Sequence, residues 1–216
     1  MATVQEDRFW ELSSPRAEAV RSGTCICDRD GDVILYENFF SEFQSDELFQ
    51  TLKTEIEWEH QYIKIFGKTN PIPRLTAWYG DPGKSYTYSR ILHHPKPWTA
   101  ALLDIKKQVE SLAEVKFNSV LLNLYRHGRD SVDWHSDDEP ELGKNPIIAS
   151  VSLGATRDFW LKHRSNPDLP VIRVGLAHGS VLLMKGSTQA HWLHKVPKTR
   201  RPVGDRVNLT FRHIYS

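Results

Sequence analysis

Cysteine is scarce in this chain: Cys25 and Cys27 are the only two in 216 residues. One C-x-C pair cannot build a zinc site alone, and it gives no disulfide framework, so a reducing compartment is expected. No apolar run is long enough to span a bilayer. The opening M-A-T-V-Q-E-D-R-F-W lacks the basic-then-apolar layout of a signal peptide. Net charge is almost nil: 28 basic and 27 acidic side chains leave +1. Overall charge therefore neither favours nor excludes nucleic acid, and local patches must decide. Internal repeats and low-complexity tracts are missing too. What is present, 39% hydrophobic and 25% charged residues, is ordinary for a soluble globular chain. The expectation is a monomer with no membrane association, cytoplasmic, or nuclear in a eukaryote.

Residues 1–30 are polar and aperiodic and read as a flexible extension; residues 31–216 read as one domain. Val33 to Tyr36 reads as a short strand. S-D-E-L-F-Q-T-L-K-T-E-I-E-W begins at Ser45 with a capping-type serine and early acids, which predicts a helix. Pro97, at a first helical position, opens a second. Its stripe runs through Trp98, Ala101, Leu102, Ile105, Val109 and Leu112. Between the helices, residues 62 to 90 are aromatic and broken by Pro and Gly, with strand-like pieces. After Phe117 short β-rich runs follow one another: S-V-L-L-N-L-Y, P-I-I-A-S-V-S-L, R-D-F-W-L-K, V-I-R-V, G-S-V-L-L-M and R-V-N-L-T-F-R-H-I-Y. Turn residues separate them and no long helix intervenes. The fold class is α+β, with N-terminal helices leading into an antiparallel jelly-roll.

Residues 133 to 140 read D-W-H-S-D-D-E-P. So many carboxylates together are costly unless a cation collects them or water screens them. His135 and Asp137 form an H-x-D pair, and residues two apart on an extended segment point the same way. H-W-L-H-K-V-P offers His191 and His194 as a third ligand. Two His and one carboxylate suit non-haem Fe(II), with open positions for cosubstrate and O₂. Similar ligands also serve zinc hydrolysis.

R-V-N-L-T-F-R, residues 206 to 212, bears on that choice. Arg206, Asn208, Thr210 and Arg212 share one strand face; Val207, Leu209 and Phe211 share the other. The apolar face should pack on the body, which leaves the polar face lining a cavity. Paired guanidinium groups hold carboxylates bidentately. In N-L-Y, Asn123 and Tyr125 repeat the alternation. A small dicarboxylate beside two His and one carboxylate suggests 2-oxoglutarate.

The order N-x-Y, H-x-D, H, R-x-N-x-T-x-R resembles the AlkB family of Fe(II)/2-oxoglutarate dioxygenases, which remove alkyl groups from nucleobases. Supporting stretches are P-R-L-T-A-W-Y-G, Y-T-Y-S-R, D-S-V-D-W-H-S-D-D-E-P and P-I-I-A-S-V-S-L-G-A-T-R. The likeness runs from about Trp58 to the C-terminus. It is similar to human AlkB homologues two and three and to bacterial relatives. The resemblance implies a double-stranded β-helix core over about 117–216 and a nucleotide-recognition lid over about 58–92. It implies Fe(II) on His135, Asp137 and His194, with His191 structural. It implies 2-oxoglutarate on Asn123, Tyr125, Arg206, Asn208, Thr210 and Arg212, and O₂ as oxidant. The implied activity is DNA repair by demethylation of N1-methyladenine and N3-methylcytosine, releasing formaldehyde and succinate.

A base inside a duplex cannot present its methyl to a buried metal, so it must be flipped out. By the same resemblance Arg74, Tyr86, Tyr88, Ser89 and Glu139 surround that base, with Glu139 favouring a cationic lesion. Ile65, Phe66 and Gly67 read as a wedge that fills the gap in a duplex. The clusters Lys162–His163–Arg164 and Lys198, Arg200, Arg201 suit phosphates. Expected partners are alkylated DNA, double- and single-stranded. The rival readings are an RNA demethylase, a silent nucleic-acid-binding module and a hydroxylase of proteins or small molecules.

Overall fold

The structure, a computed structural model, describes residues 22–65, 68–83, 86–88 and 91–215; of residues 64, 65, 68, 86–88 and 91–93 it describes the backbone alone. Two antiparallel sheets face each other. One has seven strands: β1 (Thr24–Cys27), β2 (Asp32–Tyr36), β5 (Leu75–Gly80), β8 (Ser119–Tyr125), β10 (Ile148–Gly154), β13 (Ser180–Lys185) and β15 (Arg206–Arg212). Their order is β1-β2-β13-β10-β15-β8-β5. The other has four: β9 (Val132–His135), β11 (Arg157–His163), β12 (Ile172–Leu176) and β14 (Trp192–Val196), ordered β12-β11-β14-β9. Two hairpins stand apart, β3 (Tyr62–Ile65) with β4 (Lys68–Pro71) and β6 (Tyr86–Tyr88) with β7 (Ile91–His93). The jelly-roll expectation is met, because neighbouring strands come from distant parts of the chain.

Strand alternation explains the layers. Along β15, Val207, Leu209 and Phe211 are buried with Leu122, Val151 and Leu183 under the helices. The other face of the large sheet carries Leu35, Ile148, Leu182 and Met184, which pack with Phe159, Leu161 and Val196 of the small sheet. One core lies beneath the helices, and the second lies between the sheets.

Helix α1 (Glu42–Glu55) starts before the Ser45 expected to cap it. Ser41 is the cap: its hydroxyl accepts from the Gln44 amide, and the Gln44 side chain answers the Ser41 amide. Ser45 is instead buried, with its hydroxyl on the Phe40 carbonyl. Helix α2 (Ala100–Ala113) is capped by Thr99 rather than opened by Pro97. A third, short helix, α3 (Thr188–His191), precedes β14. Within the expected extension 1–30, Thr24–Cys27 forms β1 and pairs along β2 as a local hairpin; four residues are too short a run to stand out by alternation. Among the described residues no helix is long and apolar enough to cross a membrane.

Candidate active site

The small sheet brings the H-x-D pair to its partner. His194 of β14 lies directly opposite His135 of β9, and their rings meet edge to face at 4.2 Å. Asp137 follows two residues beyond His135. One ligand atom from each of His135, Asp137 and His194 falls within 4.8 Å of the others, so the three could hold one ion. The Asp133 carbonyl sits 2.8 Å from His135 Nδ1. A carbonyl only accepts, so Nδ1 carries the proton and Nε2 is left as the ligand nitrogen.

Asp137 and His194 are both buried. Burial pushes the Asp137 carboxyl up, but the Arg212 guanidinium and the two histidines outweigh it and hold it below the usual range. Arg212 grips it twice, Nη2 to Oδ1 at 2.9 Å and Nε to Oδ2 at 3.3 Å. Burial and the neighbouring His135 push His194 down to about 3, so its imidazole is neutral, as a ligand must be. The segment between the ligands is clasped from outside. Gln189 Oε1 accepts from the Asp137 amide at 2.9 Å. Arg164 Nη2 donates to Ser136 Oγ and, at 2.8 Å, to Asp138 Oδ2.

Two cavities share His135 and Asp137 as a wall, and His194 faces the smaller one alone. The smaller, about 60 Å³, lies between the sheets and takes in Tyr125, Arg206, Asn208 and Thr210. The larger, about 250 Å³, takes in Gln61, Thr76, Trp78, Glu139 and Leu142. His135, Asp137, Arg74 and Arg212 line both. In the smaller cavity Arg206 is 1% exposed. Its Nη2 donates to Ser152 Oγ at 2.8 Å, while Nε and Nη1 meet no partner among the described residues. Burial pushes its pKa down to about 10, so it stays charged at neutral pH. A buried, half-satisfied guanidinium calls for an anion. Asn208 is already held by Ser150 Oγ at 2.8 Å, and Thr210 donates to Asn208 Oδ1 at 3.2 Å. Asn123 accepts from Arg74 Nε at 2.7 Å.

A family model described as "2OG-Fe(II) oxygenase superfamily" matches residues 32–212, which includes every one of these side chains. The chain belongs to that superfamily. Within it the chain is an AlkB-like dioxygenase. It is 44% identical to alkB homolog 3 of Bos taurus over 98% of this chain and 72% of that one. It is 44% identical to the human alkB homolog 3, over 85% of this chain and 66% of that one. To human "DNA oxidative demethylase ALKBH2" it is 40% identical, over 83% and 72%. Among solved structures it resembles OsALKBH1 in fold, with TM-score 0.62 at 18% identity, covering 84% of this chain and 96% of that one. Membership implies Fe(II), 2-oxoglutarate and O₂. The donor set fits both groups: two neutral-capable imidazoles and a carboxylate for iron, and the unpaired nitrogens of Arg206 for the acid.

Other expected residues of this AlkB-like dioxygenase fall as follows. Arg74 and Glu139 line the larger cavity. Tyr86 and Tyr88 lie in β6, described as backbone alone; Ile65 ends β3, also as backbone. Phe66, Gly67 and Ser89 lie outside the described residues. Lys198, Arg200 and Arg201 are exposed between β14 and β15. Lys162 Nζ lies 4.8 Å from the centre of the Trp134 ring. Arg164 belongs to the clasp just described, so part of its donor capacity is already spent within the chain. His163 is buried, and its Nδ1 accepts from the Ser165 and Asn166 amides, so it is a turn residue and not basic surface. His191 is exposed and stacks on His163, with ring centres 5.9 Å apart.

Reading the sequence missed Ser150, Ser152, Gln189 and Arg157. The two serines sit in A-S-V-S-L, where polar alternation inside an apolar run was the available signal. Arg157 is buried and donates to the carbonyls of Asp130 and Pro197, each at 2.8 Å. It also lies over the Tyr125 ring, at 5.5 Å, as Arg206 does at 5.2 Å.

Proposed function

We propose that this chain repairs alkylated DNA by oxidative demethylation of N1-methyladenine and N3-methylcytosine. The observation that carries the reading is the His135–Asp137 side of the triad standing as a common wall between two cavities of different chemistry. The smaller presents a buried, charged Arg206 to a carboxylate. The larger is edged by Glu139 and suits a cationic base. The relatives named as DNA oxidative demethylases support the substrate class.

His135, Asp137 and His194 would hold Fe(II). Arg206 and Tyr125 would take the distal carboxylate of 2-oxoglutarate; Arg212, Asn123 and Asn208 would flank its keto-acid end. The chemistry supplied at the wall is oxidation of the N-methyl carbon by O₂, with 2-oxoglutarate converted to succinate and carbon dioxide and the methyl lost as formaldehyde. The protein itself positions and excludes water. Arg212 keeps Asp137 deprotonated and fixed. The Asp133 carbonyl sets the His135 tautomer. A flipped base entering the larger cavity lies against His135 with Glu139 near its charged ring, and the lid region with Tyr86, Tyr88 and Ser89 completes its enclosure. Phe66 between Ile65 and Gly67 fills the vacated stack in a duplex, and the exposed basic residues after β14 meet phosphates. RNA bearing the same lesions is a second substrate of this reading.

The test is incubation with Fe(II), 2-oxoglutarate and oligonucleotides carrying either lesion, in duplex, single-stranded DNA and RNA forms. Formaldehyde and succinate should appear in equal amounts. Their absence with all substrates would sink the reading.

A further inference from the structure

The outer face of the four-stranded sheet takes no part in the site. Side chains alternate along these strands, so the faces differ sharply. Inward go Phe159, Leu161, His194 and Val196; outward go Trp160, Lys162 and Lys195. Arg173 of β12 lies directly opposite Trp160 of β11, which lies opposite Lys195 of β14. Trp134 of the edge strand β9 completes the row. Cations and indoles alternate along it. Arg173 lies 4.6 Å from the Trp160 ring and Lys195 Nζ 4.8 Å from it. Lys195 Nζ lies 4.5 Å from the Trp134 ring, and Lys162 Nζ 4.8 Å from it. Both tryptophans are partly exposed and Arg173 is exposed. Against the three cations stands Asp158, alone in facing the same way on β11.

Two large rings left partly in water, each roofed by cations, exceed what sheet stability needs. The geometry points to a platform for single-stranded nucleic acid on this outer face. The row crosses four strands, about 14 Å, room for a few nucleotides. Lysine and arginine heads turn from ring to phosphate, and each ring face they leave accepts a base. The buried, unpartnered Trp160 Nε1 gains access to an acceptor in the same movement. A duplex hides its base faces, so a single strand fits better. Trp134 adjoins His135 in the chain but points to the opposite face, so the platform begins one sheet thickness from the triad. A strand whose damaged base occupies the larger cavity can round β9 and continue along the row. This inference rests on the nucleic-acid substrate proposed above.

Full-length wild type and a Lys195→Glu, Arg173→Glu double variant are titrated with fluorescein-labelled, unmethylated single strands of 5 and 20 nucleotides. Anisotropy and tryptophan emission are followed together. Wild type should bind the longer strand at least ten-fold tighter than the shorter, with quenched emission, and the variant should lose most of that gain. Its salt dependence should flatten by about 0.7 in log–log slope per phosphate contact removed. Lys195→Gln with Arg173→Gln should lose part of the gain without reversing charge, which guards against a misfolded variant. Formaldehyde release from a methylated 5-mer should match wild type. Equal affinity of all three proteins for the 20-mer overturns the platform. So does joint loss of 20-mer binding and 5-mer turnover, because the face is then merely structural. If wild type releases no formaldehyde from any oligonucleotide, the dealkylation reading fails instead, and the anisotropy comparison still decides the platform.

Discussion

At the scale of single residues, Arg206 carries the sharpest consequence. Truncating one partner of a buried charge pair costs about 2–5 kcal/mol, so Arg206→Gln should raise half-saturation by 2-oxoglutarate roughly 30-fold or more. Mn(II) binding should hardly change, because Arg206 does not touch the triad; calorimetric titration of both ligands checks the split. Gln189 acts differently, through the Asp137 backbone. Gln189→Ala should weaken Mn(II) binding about 10- to 100-fold, the usual effect of losing a group that orients a ligand. Unchanged metal affinity would remove Gln189 from that role. The residues that line the smaller cavity were legible because H-x-D and R-x-N-x-T-x-R are local patterns. Gln189, Ser152 and Arg157 were not, because their partners lie dozens of residues away and are brought near only by the fold.

At the scale of elements, the turn between β8 and β9 is held by Asp130. Its carboxylate accepts from Arg126 Nε at 2.8 Å, Arg126 Nη2 at 3.1 Å and the Arg126 amide at 3.0 Å. Burial pushes Asp130 up, but these bonds outweigh it and its pKa is lowered in the fold. A lowered carboxylate pKa adds stability above the unfolded value and loses it as pH falls through the folded value, that is below about pH 4. Asp130→Asn should therefore melt lower than wild type at pH 7, by roughly 2–4 °C per kcal/mol lost. The gap should narrow on acidification below about pH 4; a constant gap in thermal melts would refute the assignment. Six of the eight strands after Phe117 were legible within two or three residues, since alternation and turn residues agree there; β9 and β14, which carry His135 and His194, were not among the runs read. The helix starts were not. Ser41 and Ser45 are equally good caps by type, and only the Gln44 reciprocal bond separates them.

At the scale of the whole molecule, the start of α1 meets the large sheet through a close approach at Gly179. Its φ is +75°, and an added Cβ would meet the Phe40 carbonyl at 2.7 Å as well as Ser45 Oγ. The same glycine donates to the Ser152 carbonyl at 2.8 Å, and the Ser152 hydroxyl meets Arg206. Gly179→Ala should destabilise the chain by about 1–3 kcal/mol, read as a lower urea midpoint, and should raise half-saturation by 2-oxoglutarate as well. A lower midpoint with an unaltered 2-oxoglutarate response would show that the helix layer and the cavity are uncoupled. This approach left no sign in the sequence beyond the glycine, because it joins two layers.

Asp133 has a second use, away from the triad. β9 closes the small sheet, with β14 as its neighbour among the described residues. An open strand border invites another chain to add itself. Here the Asp133 carboxylate folds back onto the Trp134 amide at 2.9 Å, occupying a donor that a foreign strand would need and placing a negative charge beside it. Asp133→Ala should keep full turnover, since the carbonyl that orients His135 is untouched. It should also self-associate as concentration rises, which light scattering would register.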